Sequence, residues 1–157
     1  MLSEIPDIEN KTEALYLYLQ SNASDNEGDS WNYHHNPKIV SHINNLSKDD
    51  CENFTSEIWN WKKEIIFDLA DPFLHIVNPN LNGSYLYCKL ILHMDDMESQ
   101  EYLIQNIQII HNIPKKTHPI DFYLDLAKKI LTINKKNNEN YNYAVEQIRL
   151  KIITEKS

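Results

Sequence analysis

The sequence predicts an all-α fold, with helices in antiparallel pairs forming a HEAT-like α-solenoid stack. Three observations support this. Apolar residues recur at helical spacing along almost the whole chain. Only two glycines, Gly28 and Gly83, interrupt it. Helix-pair starts at Ser47, Ser84 and His118 fall 37 and 34 residues apart, about the length of one helix–turn–helix repeat. The three units share no alignable residues, so a globular helical bundle is the alternative. Either way, about seven to eight helices are expected, in a single all-helical domain spanning 1–157.

The first helix is expected over 9–22. Leu15, Leu17 and Leu19 alternate as in a strand, but the surrounding "NKTEALYLYLQSN" is rich in helix formers. A polar loop follows. Asn36 and Pro37 then read as an N-cap and first-turn proline of a helix ending near Leu46. Ser47 with Asp50 resembles a capping box and opens a helical region expected as 48–59 and 62–77. Ile58, Trp61, Ile65, Leu69, Phe73 and Ile76 share one face of it, and Asp71–Pro72 should bend or break the backbone. "NPNLNGS" at 78–84 is a loop, after which Ser84 can cap "YLYCKLILHM".

Asp95 and Asp96 are placed to cap 97–112, with Leu103, Ile107 and Ile110 inward. Pro119 starts the next helix, whose inward face is expected at Ile120, Tyr123, Leu124, Ala127 and Leu131. "NKKNNEN" breaks it. A final helix over 139–155 is expected to turn Tyr141, Val145, Ile148 and Ile152 inward.

The net charge of -8 is unevenly spread. Residues 1–112 hold 18 acids against 6 bases, and residues 113–157 hold 5 acids against 9 bases. An acidic body argues against nucleic acid as a ligand, because phosphates are neutralised by Lys and Arg. It favours a basic partner, or simply solubility. No apolar run approaches the ~18 residues of a membrane span, so no membrane contact is expected. Cys51 and Cys88 form no CxxC, and no signal-like N-terminal stretch occurs, so a reduced cytoplasmic protein is expected. The sequons at Asn10, Asn22, Asn45, Asn53 and Asn82 read as chance in an Asn-rich chain.

Catalytic and metal readings find little support. Seven histidines invite a zinc hypothesis, yet no HxH or HExxH occurs, and His34 and His35 are adjacent, so they point apart on any regular element. "HMDD" at 93–96 lacks the His-Asp dipeptide of metal phosphohydrolases, and His93 reads as a helix end. Around Gly28 the carboxylates stand at 25, 27 and 29, but the Glu that a calcium loop needs six residues after the glycine is His34. There is no GxSxG and no phosphate-binding glycine loop. Cys88 reads as a buried thiol. Cys51, in a first helical turn, has a position that can lower its pKa but no assured basic neighbour. No catalytic residue, metal ligand or cofactor is therefore expected.

What remains is binding. In "ASDNEGDSWNYHHNP", residues 23–37, Asp25, Glu27 and Asp29 surround Gly28, and Trp31 and Tyr33 follow. An aromatic residue within an acidic surround is the composition of an interface anchor, although Trp31 can also fold back over helix ends. Asp25, Glu27, Asp29, Trp31 and Tyr33 are taken as partner-binding, supported by the acidic helix start at Asp95, Asp96 and Glu98.

With its acidic helical body, helix pairs of HEAT-like length, and "WNWKKEIIFDLADPFLHI" followed by "NGSYLYCKLILHM", the chain resembles the α-helical immunity proteins of bacterial contact-dependent inhibition and related polymorphic toxin systems. The resemblance is one of style over residues 36–157. It implies a non-catalytic protein that binds one cognate toxin domain, often a basic nuclease, and covers its active site. It carries over no functional residue and leaves the oligomeric state open. A helical-repeat adaptor for another cytosolic protein or peptide is the competing reading.

Overall fold

The computed structural model describes residues 1–25, 31–137 and 140–157. The described chain is all-α: nine α-helices joined by short 3-10 and π turns, with no strand. It divides into two compact units, residues 1–83 and 84–157.

In the first unit, helix α1 (Lys11–Ser21) begins where the Asn10 side chain accepts the Glu13 N–H at 3.0 Å. It buries Ala14, Leu15, Tyr18 and Leu19 and leaves Leu17 outside, so the 3.6-residue period wins over the strand-like alternation. A single π turn, Trp31–His35, leads directly into α2 (Asn36–Asn44). His35 is already helical at φ -90° and ψ -47°. Asn36 is therefore the first helical residue and not the expected cap, while Pro37 keeps its first-turn place. The end of α2 is closed by a distant residue. The buried Asn78 amide donates to the carbonyls of Ile43, at 2.9 Å, and Leu46, at 3.0 Å, and the Val77 N–H reaches Asn44 Oδ1.

Helix α3 (Lys48–Glu57) is capped as expected, with Ser47 Oγ accepting the Asp50 N–H at 3.1 Å. It ends in a 3-10 turn, Ile58–Asn60, after which Trp61 is extended. The expected span 62–77 divides in two. Helix α4 (Lys63–Ile66) and helix α5 (Ala70–Phe73) flank a 3-10 turn at Phe67–Leu69. The break thus comes before Asp71–Pro72, and the restart places Pro72 in a first turn, where its missing N–H costs nothing. α1 packs on α3 and α4, and α2 packs on α5, around Ile39, Ile43, Phe54, Ile58, Ile66, Leu69 and Phe73.

Helix α6 (Gly83–His93) begins on the last residue of the first unit, one residue before the expected Ser84 cap. A Cβ at Gly83 would collide with the Phe73 carbonyl oxygen and lie 2.9 Å from Ile76, so glycine is required there for space. Helix α7 (Met97–Ile104) follows, then a 3-10 turn, Ile107–Asn112, with Leu103, Ile107 and Ile110 buried as expected.

Helix α8 (Ile120–Asn137) and helix α9 (Asn142–Lys156) pack against each other. Their inward faces differ from the expected ones. α8 buries Tyr123, Leu126, Ile130 and Ile133, while Leu124 and Leu131 are exposed. α9 buries Ala144, Ile148, Lys151 and Glu155. The reason is polar. Lys151 and Glu155 form a 3.1 Å ion pair inside the unit, so two charged residues occupy core positions and rotate the helix relative to its apolar pattern. Lys151 Nζ also donates to the Ile113 carbonyl. Glu155 accepts the Lys116 N–H at 2.7 Å, presented by a left-handed residue at φ 63°.

Candidate functional site

The loop singled out in the sequence is tied to α1 through His35. This ring is only 6 % exposed. Its Nε2 lies 2.7 Å from Asp25 Oδ2 and its Nδ1 lies 2.6 Å from the Tyr18 hydroxyl. A carboxylate only accepts, so Nε2 donates to Asp25, while Nδ1 shares a hydrogen bond with the Tyr18 hydroxyl. Trp31 is half-buried, its ring centroid 4.7 Å from that of His35 and tilted 49° to it. Burial first, then the charges of Glu4 and Asp25, pushes the Tyr18 hydroxyl above its ordinary value.

Asp25 therefore ends a Tyr18–His35–Asp25 hydrogen-bond chain, and Trp31 packs against its histidine. Tyr33 points away from it and is 78 % exposed. Glu27 and Asp29 lie outside the described residues. Adjacent His34 is exposed, as a side chain opposite His35 must be. The N-terminal segment lies along the same side of α1: the buried Asn22 amide donates to Leu2 O at 3.0 Å, and Lys38 reaches Glu4 at 3.0 Å.

In the second unit, Asp95, Asp96 and Glu98 are all exposed at the start of α7. Asp96 is the cap, its Oδ2 accepting the Ser99 N–H at 2.9 Å. Burial works against its ionisation, but the Ser99 hydrogen bonds prevail and hold the carboxyl below its usual value. Asp95 lies 3.8 Å from Lys129. Glu98 lies in the first turn, where the helix dipole favours it.

The sequence reading missed a notch on the far side of α1. Tyr16 and Trp61 meet edge-to-face, with centroids 5.2 Å apart and planes at 61°. Beside them lies a cavity of about 300 Å³ bordered by Glu13, Glu57 and Lys62. Trp61 reaches it because the chain turns extended after Asn60, which takes the ring off the helical core face where its spacing had placed it. Thr12 lines the same cavity at 4 % exposure, and its hydroxyl has no hydrogen-bond partner among the described residues. A neighbouring cavity of about 340 Å³ is bordered by Glu9, Lys11 and Asp50. A third, of about 760 Å³, lies between α2 and α5 and is bordered by Pro37, Val40, Asn44, Asp71 and His75.

The charge is concentrated in this first unit. Residues 1–83 hold 14 acidic against 5 basic side chains, a net -9, whereas residues 84–157 hold 9 against 10. Glu13, Glu52 and Glu57 are exposed and enter no ion pair among the described residues. Asp68 is the most perturbed carboxyl. Burial first, then Glu64, raises it to about 7.

The thiols are sequestered. Cys51 is raised by burial first and then by Asp50, so its first-turn position does not activate it. Cys88 is pushed up to about 12 by burial, with Lys151 acting against the shift. Both are free. No group of three or more His, Cys, Asp or Glu able to hold a metal occurs among the described residues, and no helix there is long and apolar enough to cross a membrane. No family model, curated protein or solved structure matches the chain.

Proposed function

We propose that this chain is a non-catalytic immunity protein that binds a cognate basic toxin domain, of the nuclease kind, and covers its active site. One observation carries the reading: the negative charge resides in the first unit, at -9, and Glu13, Glu52 and Glu57 there are exposed and enter no ion pair among the described residues. Unpaired surface carboxylates raise the on-rate for a basic protein and complement the cationic cleft that a nuclease presents to phosphates. Two surface ion pairs of this unit, Lys11–Asp7 and Lys38–Glu4, neutralise only part of that charge. The protein acts in the cytoplasm, where free cysteines such as Cys51 and Cys88 stay reduced.

The test is co-expression with the product of the neighbouring gene. A stoichiometric complex and loss of the partner's toxicity are expected. Absence of both would remove the proposal.

A second reading, an adaptor for a cytosolic peptide, is favoured by the 760 Å³ groove between α2 and α5. Its amide and proline borders suit an extended peptide. Pull-down of a housekeeping complex that Val40→Asp abolishes would support it over the first.

A further inference from the structure

We infer that the notch beside Tyr16 and Trp61 is a receptor for one arginine side chain of a basic protein partner. The inference rests on the reading of the chain as a binder of a basic protein, and it specifies where and how the partner is anchored. The cavity, of about 300 Å³, is large enough for a guanidinium and its stem. Its aromatic wall is the edge-to-face pair of Tyr16 and Trp61, both partly exposed, and an aromatic face is a surface on which a flat cation stacks. Its rim holds two exposed carboxylates, Glu13 and Glu57, against the single ammonium of Lys62, so the local balance favours a cation.

Arginine fits better than lysine. Its planar, weakly hydrated head both stacks on an aromatic face and donates in-plane hydrogen bonds to carboxylates. The buried Thr12 hydroxyl, without a partner among the described residues, is a further polar group that the lining leaves unused. The adjoining cavity bordered by Glu9 and Asp50 extends the acidic surface along α1, so neighbouring basic residues of the same partner find carboxylates there. Such an anchor, apolar at the centre and charged at the rim, is the arrangement that concentrates binding energy in a few residues.

The probe is an acetylated, amidated hexa-arginine peptide, titrated into the full-length chain at low salt, with the indole N–H signals of the three tryptophans followed by NMR. Trp61, identified by its loss in Trp61→Phe, is expected to shift most. Glu13→Gln with Glu57→Gln is expected to weaken binding by about tenfold, and hexa-lysine to bind several-fold more weakly than hexa-arginine.

Trp61→Phe retains an aromatic ring and serves as the folding-safe variant, with Glu52→Gln as a charge control expected to stay within twofold. If the peptide binds with Trp61 unmoved, or binds equally well to the Glu13/Glu57 double variant, the notch is overturned while the basic-partner reading stands. If no peptide binds at low salt, the notch is overturned as well. The co-expression experiment decides the wider reading independently.

Discussion

His35 Nε2 lies 2.7 Å from Asp25, on a ring that is itself nearly buried. Asp25 is therefore a structural acceptor. Asp25→Ala leaves a buried imidazole N–H without its charged partner and is expected to lower unfolding free energy by about 1–3 kcal/mol. Glu52→Ala, on the surface, should change it by less than about 0.5 kcal/mol. Urea unfolding of both variants checks this. Equal stability of the two would mean that the bridge contributes nothing.

Some helix starts were readable from the sequence, although Asn36 and Ser84 do not cap as expected. Ser47 with Asp50, Asn10 before α1 and Asp96 before α7 each cap a helix, because capping is a local contact between residues three apart. The inward faces of α8 and α9 were not readable. Lys151 and Glu155 look like solvent residues in any pattern of hydrophobicity, and only their partners on the loop after Ile113 make the core position favourable. The Asn78 cap of α2 joins groups more than thirty residues apart, beyond any local signal. The notch escaped for a related reason. Trp61 has core spacing, and only the extended turn after Asn60 brings it to Tyr16. In the opening loop, composition marked Asp25 and Trp31 as unusual, but it could not reveal that His35 holds both inward.

Lys151 and Glu155 are 3 % and 2 % exposed, so removing one charge strands the other. Lys151→Met is expected to cost about 3–5 kcal/mol, and Lys151→Met with Glu155→Leu distinctly less than twice that. Burial opposes ionisation of Glu155, but the Lys116 N–H and Lys151 outweigh it and hold its pKa below the usual 4.5. The pair's stabilisation is thus present above about pH 4.5 and is lost as the pH falls through the lower folded value. A double-mutant cycle by thermal unfolding at pH 7 and pH 3 measures both effects.

Asp68 has the opposite sign. Its folded pKa of about 7 exceeds the ordinary 3.8, so the native state binds the proton more tightly. Its contribution favours folding below pH 3.8, declines between pH 3.8 and about 7, and is a full penalty above that. Asp68→Asn is expected to stabilise the protein at pH 8 by about 1–3 kcal/mol, with little change at pH 4. Denaturation across this range checks it; a variant that is no more stable at pH 8 would contradict it.

Gly83→Ala places a methyl group against the Phe73 carbonyl oxygen and Ile76. Because this is a collision and not a matter of φ, the expected loss of about 1–3 kcal/mol should be no smaller for Gly83→Ser. Melting curves of the two variants provide the comparison.

The proposed role rests on the first unit's acidic surface binding a basic protein. The most direct measurement is the dissociation constant between the full-length chain and the product of the neighbouring gene, at low and at physiological salt, for the native sequence and for Glu13→Lys with Glu57→Lys. Tight binding that weakens with salt, and weakens at least tenfold further on charge reversal, is the predicted result. No binding, or binding indifferent to both salt and reversal, would contradict it.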